Sequence, residues 1–384
     1  MGWFEMADPA GSIMIGVEEE FHVVDVETRY LVSRAGLLLR RLPSDQFTPE
    51  LQRSVVEANS RPLERLEDLG RELTGLRREV TGVAEGLGLG IAAAGSMPLV
   101  DQDALKISPD PRYEQMLADY QLLTREQLIC GTQVHAQIED RDLAVAVAHR
   151  LAPWVPPLLA LSSSSPYWLG EDTGYASYRP LVWQRWPTAG PLAKFASAAE
   201  YDRMVEDLMR SGVITDPGML YFDIRPSDHV PTVELRVCDS CPRVSDILVI
   251  AGLFRALVAR ELTAIRKGPD RSVRPEPVRA ATWRAARSGL EGELVDPDEG
   301  VPRPAAEVIG RMVDGLRPEL EAAGDWELVT TLVREALGRG SSAARQREAF
   351  ARNGDLADVV DLVLAETRSE EWGAVPPRTG TKAA

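Results

Sequence analysis

Apolar and polar residues alternate in several short stretches, and the two-residue period of a β-strand puts every second side chain on one face. In residues 13–25, Ile15, Val17, Glu19, Phe21 and Val23 share one face, and Gly16, Glu18, Glu20 and His22 share the other. Residues 129–139 set Thr132, Val134, Ala136 and Ile138 against Gln133, His135 and Gln137. Residues 218–227 separate Leu220, Phe222 and Ile224 from Tyr221, Asp223 and Arg225, and 231–240 separate Val233, Leu235 and Val237 from Thr232, Glu234 and Arg236. Residues 54–59 and 90–98 predict shorter strands.

Helical spacing fills the gaps. Residues 64–88 are amphipathic and end on glycines, and 141–166 are mostly apolar but interrupted by Pro153, Pro156 and Pro157. Residues 244–268 predict a long buried helix, with Ser245 as its cap and Gly268 as its stop. The last third predicts helices over 276–289, 304–323, 325–338 and 342–367. No parallel βαβ rhythm runs through this order, so the predicted class is α+β, with an antiparallel sheet whose apolar face packs on helices. No long Pro/Gly/Ser linker divides the chain. The expected organisation is one domain over 13–368, with an extension at 1–12 and a flexible tail at 369–384 that includes "PPRTGTKAA".

Composition narrows the partners. With 59 Asp plus Glu against 43 Lys plus Arg, the 384-residue chain carries a formal charge of -16. That argues against nucleic acid or an anionic membrane as a general partner. It leaves room for an anionic small molecule, because a local arginine cluster or a metal can reverse the field in a cleft. No uninterrupted apolar run reaches the ~18 residues of a membrane span, and the first residues lack the regions of a secretory signal. Three cysteines, an odd number, suggest reduced thiols and a cytoplasmic protein.

The polar faces hold the candidate chemistry. Across four strands they carry Glu, His, Gln, Asp and Arg and not one Lys, which suits a concave site better than a solvated face. Glu18 and Glu20 sit two strand steps apart, roughly 6.5–7 Å between Cα atoms, close enough to hold one or two cations between them. With Glu57, His135 and Glu234, such a set would be oxygen-rich with one imidazole, suiting Mg²⁺ or Mn²⁺ better than Zn²⁺. The alternative is Glu–Arg pairing across the sheet, with Arg225 and Arg236 as partners. The run "DTGYASYRPLVWQRWPTAGP" (172–191) has the Arg and aromatic content of a loop that binds something planar or anionic, or of a packed surface or dimer contact. No Walker loop and no G-x-S-x-G are present, and "GLGLGIA" follows a helix rather than a strand. Cys238 and Cys241 form a lone C-x-x-C without a second pair.

At these residues the chain resembles the type 2 glutamate–cysteine ligase family, the carboxylate–amine ligases. The runs that carry the resemblance are "IGVEEEFHVVD", "GTQVHAQIEDRDLAVAVAHRLAPWVPPLLALSSSSPYW", "DTGYASYRPLVWQRWPTAGP", "GMLYFDIRPSDHVPTVELRVCD" and "ATWRAARSGLEGELVDP". The resemblance implies a glutamine-synthetase-like fold whose antiparallel sheet curls into a carboxylate-lined funnel. It implies ATP as co-substrate, phosphorylation of the γ-carboxylate of L-glutamate, and attack by an amino-acid amine. It implies Glu18, Glu20, Glu57, His135 and Glu234 as ligands of Mg²⁺ or Mn²⁺, and Arg179 and Arg236 as catalytic anion clamps. Gln133, Tyr175, Arg179 and Arg225 would bind substrate, and Arg185 and Trp186 the nucleotide. A homodimer is the expected assembly. Three departures from the family pattern, at Gln137, at Met97 and in "GRGSSAARQ", suggest an acceptor other than cysteine, such as a nonproteinogenic amino acid. A weak glutamate–cysteine ligase, or a metal-dependent amide hydrolase using the same carboxylates, is the competing expectation.

Overall fold

The computed structural model describes residues 13–268 and 273–368; the expected extension at 1–12 and tail at 369–384 lie outside the described residues. The strands of the main sheet are β1 (Ile15–Asp25), β2 (Phe47–Pro49), β3 (Val55–Asn59), β4 (Leu89–Ala92) and β5 (Thr132–Gln137). Tyr167–Trp168 and Glu171–Asp172 (β6, β7) make a small separate hairpin. Ile224–Pro226 and Thr232–Leu235 (β8, β9) complete the main sheet, and Glu293–Val295 with Pro302–Pro304 (β10, β11) form a second hairpin. The main order is β2-β3-β1-β5-β9-β8, antiparallel throughout. β4 pairs with the far end of β1, and the ladder stays open rather than closing on itself.

The period of two holds across this sheet. Ile15, Val17, Val134, Ala136, Val233 and Leu235 are buried in one core with the helix Val244–Lys267. Phe21 and Val23 continue that face into a second cluster beneath the helix Leu66–Glu85. Each large apolar side chain buried this way contributes about 1.5–3 kcal/mol, so a one-residue slip would expose the whole set. The opposite face keeps its polar residues only as far as Glu20. Beyond it His22 is wholly buried, and burial holds its imidazole neutral, with a pKa lowered to about 3.

Several expected boundaries move, each for a local reason. The strand predicted over 218–227 shrinks to β8, because Pro217 and Gly218 form a single turn, Pro217–Met219. Ser245 does not cap the helix 244–267; that position is Arg243, and Ser245 lies inside the first turn, while Gly268 does end the helix. The apolar run 141–166 divides into Arg141–Leu151 and Val155–Ser162 around Pro153. By length and composition Arg141–Ser162 would cross a membrane, a possibility its prolines hid in the sequence, but 78% of that window is buried inside the fold. Helices at Ala35–Leu39, Pro111–Tyr120, Leu122–Arg125, Arg179–Trp183 and Ala198–Arg210 were not anticipated.

Candidate active site

Strand register gathers the polar residues into adjacent rows. Arg225 faces Glu234, Glu234 faces His135, and His135 faces Gly16. One row along, Gln133 faces Glu18 and Glu18 faces Asn59; beyond that, Glu20 faces Glu57 and Glu57 faces Thr48. With no side chain at Gly16, Glu18 reaches diagonally to His135, its Oε1 3.1 Å from Nε2. The rows form the floor of a cavity of about 570 Å³.

Among the described residues, two groups could each hold a metal ion: Glu18, His135 and Glu234, and Glu20, Glu50 and Glu57. In each group the ligand atoms lie within 4.8 Å of one another. Glu50 was missed from sequence, although it extends the alternation of β2 one step beyond Thr48 on the same face. Three carboxylates this close repel one another. Burial together with that repulsion raises Glu20 to about 7 and Glu57 well above the ordinary carboxyl value, and burial raises Glu50 as well. Partial relief comes from the charges of Arg179 and Arg236 near Glu20, and from neutral donors: Thr48 Oγ1 and Asn59 Nδ2 to Glu57 Oε1 at 2.8 and 3.2 Å, and the Gly131 N–H to Glu20. An acidic, oxygen-only set lacking a full countercharge fits a hard divalent cation.

The other group is already partly matched. Glu234 accepts from Arg225 Nε at 3.1 Å and from Arg236 Nη1, so the cross-sheet arginine pairing expected as the alternative holds for this residue. Burial works against its charge, but the two arginines outweigh burial and hold Glu234 well below the usual range. His135 Nδ1 lies 2.9 Å from Thr232 Oγ1. Burial opposes its protonation too, yet Glu18 overcomes it and lifts the imidazole above its ordinary value. Arg236 also donates to Gln133.

Arg179 enters from the first position of the short helix Arg179–Trp183, which follows the serines at 162–165. Its Nη1 donates to the carbonyls of Arg236 and Val237 at 3.1 and 3.0 Å, and its backbone N–H to Ser165 Oγ at 3.1 Å. The guanidinium fits because residue 131 is glycine: a Cβ there would stand 2.3 Å from Arg179 Nη2. Of the expected site residues, Glu18, Glu20, Glu57, Gln133, His135, Arg179, Trp186, Arg225, Glu234 and Arg236 all line the cavity. Arg185 is absent from the lining and pairs with Glu126. Tyr175 is absent too, and its hydroxyl accepts from Trp283 Nε1 at 3.2 Å.

Residues 14–362 match the family described as "Glutamate-cysteine ligase family 2 (GCS2)". A Frankia alni protein, provisionally named glutamate–cysteine ligase 2-3, is 58% identical over 369 residues, covering 96% of this chain and 42% of that protein. A Mycolicibacterium smegmatis protein, provisionally named glutamate–cysteine ligase 2-2, is 55% identical over 92% of this chain and 89% of its own length. The chain thus spans under half of the Frankia relative and most of the Mycolicibacterium one. In fold it is similar to the glutamate–cysteine ligase of Francisella tularensis, solved in complex with AMP. The TM-score is 0.69 at 14% identity, covering 94% of this chain and 90% of that one.

Proposed function

The chain belongs to the glutamate–cysteine ligase family 2, and from that premise we propose that it is an ATP-dependent carboxylate–amine ligase acting on glutamate. An oxygen of the γ-carboxylate attacks the γ-phosphorus of ATP and ADP leaves. The amine nitrogen of an amino acid then attacks the acyl carbon, loses a proton, and phosphate leaves. The observation that carries this reading is the pair of three-donor acidic groups on one cavity floor, with Arg179 and Arg236 beside them.

In this reading Glu20, Glu50 and Glu57 hold one Mg²⁺ or Mn²⁺, and Glu18, His135 and Glu234 a second. Bound there, the cations would draw charge from the phosphate oxygens. Arg236 and Arg179 are fixed by Gln133, Glu234 and backbone carbonyls, so they meet the transferring anion without reorganising. Trp186 and Trp183 line the same cavity and would border the nucleotide, with the Trp186 ring packed against Tyr120 and Tyr221. Arg185 and Tyr175, outside the lining, are left out of the mechanism. Residues 13–368 act as one catalytic domain, with the polar face of the sheet as its funnel.

The three departures that suggested an unusual acceptor lie outside the cavity lining. Gln137 Nε2 lies 3.5 Å from Glu139 Oε1, Met97 is buried beside Val360 and Val363, and Ser341 bonds Glu291; none lines the cavity. An acceptor other than cysteine therefore draws no support from the cavity. ADP release measured with glutamate, Mg²⁺ and a panel of amino acids that includes cysteine tests both levels of the proposal. We expect release to need both glutamate and an amine, and Glu20→Ala to lower it by on the order of 10²–10³-fold with the melting temperature kept. Amide cleavage without ADP would make the protein a hydrolase.

A further inference from the structure

The cavity lining also carries a charged pair that phosphoryl transfer does not use. Arg112 stands in the first turn of the helix Pro111–Tyr120, and Asp216 immediately precedes the turn Pro217–Met219. Arg112 Nε lies 2.7 Å from Asp216 Oδ2, and Nη2 lies 3.2 Å from Oδ1. The side chains are 39% and 33% exposed. An ion pair so open to water adds little to stability, so the fold does not account for it.

The pair is nevertheless closely fitted. A Cβ on Gly218 would come 2.8 Å from Asp216 Oδ1 and 3.0 Å from Arg112 Nη2. Arg225 ties the same turn to the sheet: its Nη1 donates to the carbonyls of Pro217 and Leu220 at 3.2 and 2.8 Å, while Nε bonds Glu234. Arg112 and Asp216 line the same cavity as Glu20, Glu50 and Glu57, with Tyr113 and Tyr221 on that lining as well. The pair therefore neighbours the acidic floor, and the turn that bears Asp216 is joined to it.

We propose that Arg112 and Asp216 form the subsite for the α-carboxylate and α-ammonium of the donor amino acid, an assignment that rests on the ligase reading. Adjacent opposite charges complement a zwitterion. The fork engages two of the five guanidinium N–H donors, so Arg112 retains others for a carboxylate, and Asp216 retains lone pairs for an ammonium. A nucleotide is anionic and would meet repulsion from Asp216. An acceptor amino acid is a zwitterion too, and Asp216 could take its amine proton, so kinetics separate the two: the donor assignment requires the effect in the KM for glutamate and not in that for the amine. The donor's head group stays charged throughout, because only its side-chain carboxylate reacts.

The test compares ADP release with L-glutamate against glutarate, the analogue lacking the α-amine, in wild type and Asp216→Asn, and against 4-aminobutyrate, the analogue lacking the α-carboxylate, in wild type and Arg112→Gln. The expected result is a loss of selectivity for glutamate over the matching analogue in kcat/KM, by about ten- to hundredfold. It should appear in the KM for glutamate, with the KM for ATP unmoved. Gly218→Ala displaces the pair without changing charge and should lower selectivity in the same direction, with its melting temperature confirming the fold. Equal losses with glutamate and the matching analogue, a raised KM for ATP, a raised KM for the acceptor amine in place of that for glutamate, or unchanged selectivity in all three variants overturns the subsite while leaving the ligase reading in place. A wild type that releases no ADP with glutamate and any amine removes the ligase reading and the subsite together.

Discussion

Glu19 points away from the cavity into apolar surroundings, and Arg77 on the helix Leu66–Glu85 meets it there. Arg77 Nη2 lies 2.5 Å from Glu19 Oε1, and the guanidinium also donates to the carbonyls of Cys241 and Pro242 at 2.7 and 2.6 Å. Both side chains are almost wholly buried. Removing one partner of such a pair leaves a charge without water or a counterion, which costs about 3–5 kcal/mol. Arg77→Met should therefore lower unfolding stability in urea by that amount, and adding Glu19→Leu should restore much of it. A single variant as stable as wild type would show that the pair is not holding β1 to the helix. The alternation of β1 alone places Glu19 on the apolar face and so requires a buried cation. Which arginine answers it depends on how the helix lies across the sheet, and no sequence period carries that.

At the scale of elements, the four serines 162–165 connect a helix end, a strand end and the start of the helix Arg179–Trp183. Buried Asp239 follows β9 and accepts from Ser164 N–H, Ser165 Oγ and Ser177 Oγ at 2.9, 2.7 and 2.8 Å. Ser165 Oγ in turn accepts the N–H groups of Tyr178 and Arg179. Burial raises the Asp239 carboxyl, and these donors together with Arg179 oppose the rise. Asp239→Ala should orphan three donors, at about 1–3 kcal/mol each, and loosen Arg179. A melting temperature near wild type would remove Asp239 from this role. In sequence the serines only close the predicted helix 141–166, and no local pattern reveals their partner, which lies 74 to 75 residues away for Ser165 and Ser164. The long strands and helices were legible by their periods. The short helices Arg179–Trp183 and Pro111–Tyr120 were not, since one is barely a turn and a half and the other carries few buried residues.

For the molecule as a whole, the crowded acids set a pH dependence. Glu20, raised from 4.5 to about 7, binds a proton more tightly in the folded than in the unfolded chain, and Glu50 and Glu57 shift the same way. Their contribution to stability is full below pH 4.5 and is lost as pH rises to about 7 and beyond. A divalent cation competes with those protons. The melting-temperature rise on adding Mg²⁺ or Mn²⁺ should therefore be larger at pH 8 than at pH 6, and Glu57→Gln should flatten the difference. A pH-independent shift would count against cation binding at Glu20, Glu50 and Glu57. The sequence by itself determined the antiparallel strands, the polar face with Glu18, Glu20, His135, Glu234 and Arg236, and the family, because a period of two and contiguous motifs are local properties of a chain. Only the tertiary structure decided that Glu50 joins Glu20 and Glu57, that Arg77 answers Glu19, that Arg185 and Tyr175 fall outside the cavity, and that Arg112 meets Asp216. Those outcomes depend on register and on how helices cross the sheet, which are set by packing between residues far apart in the chain.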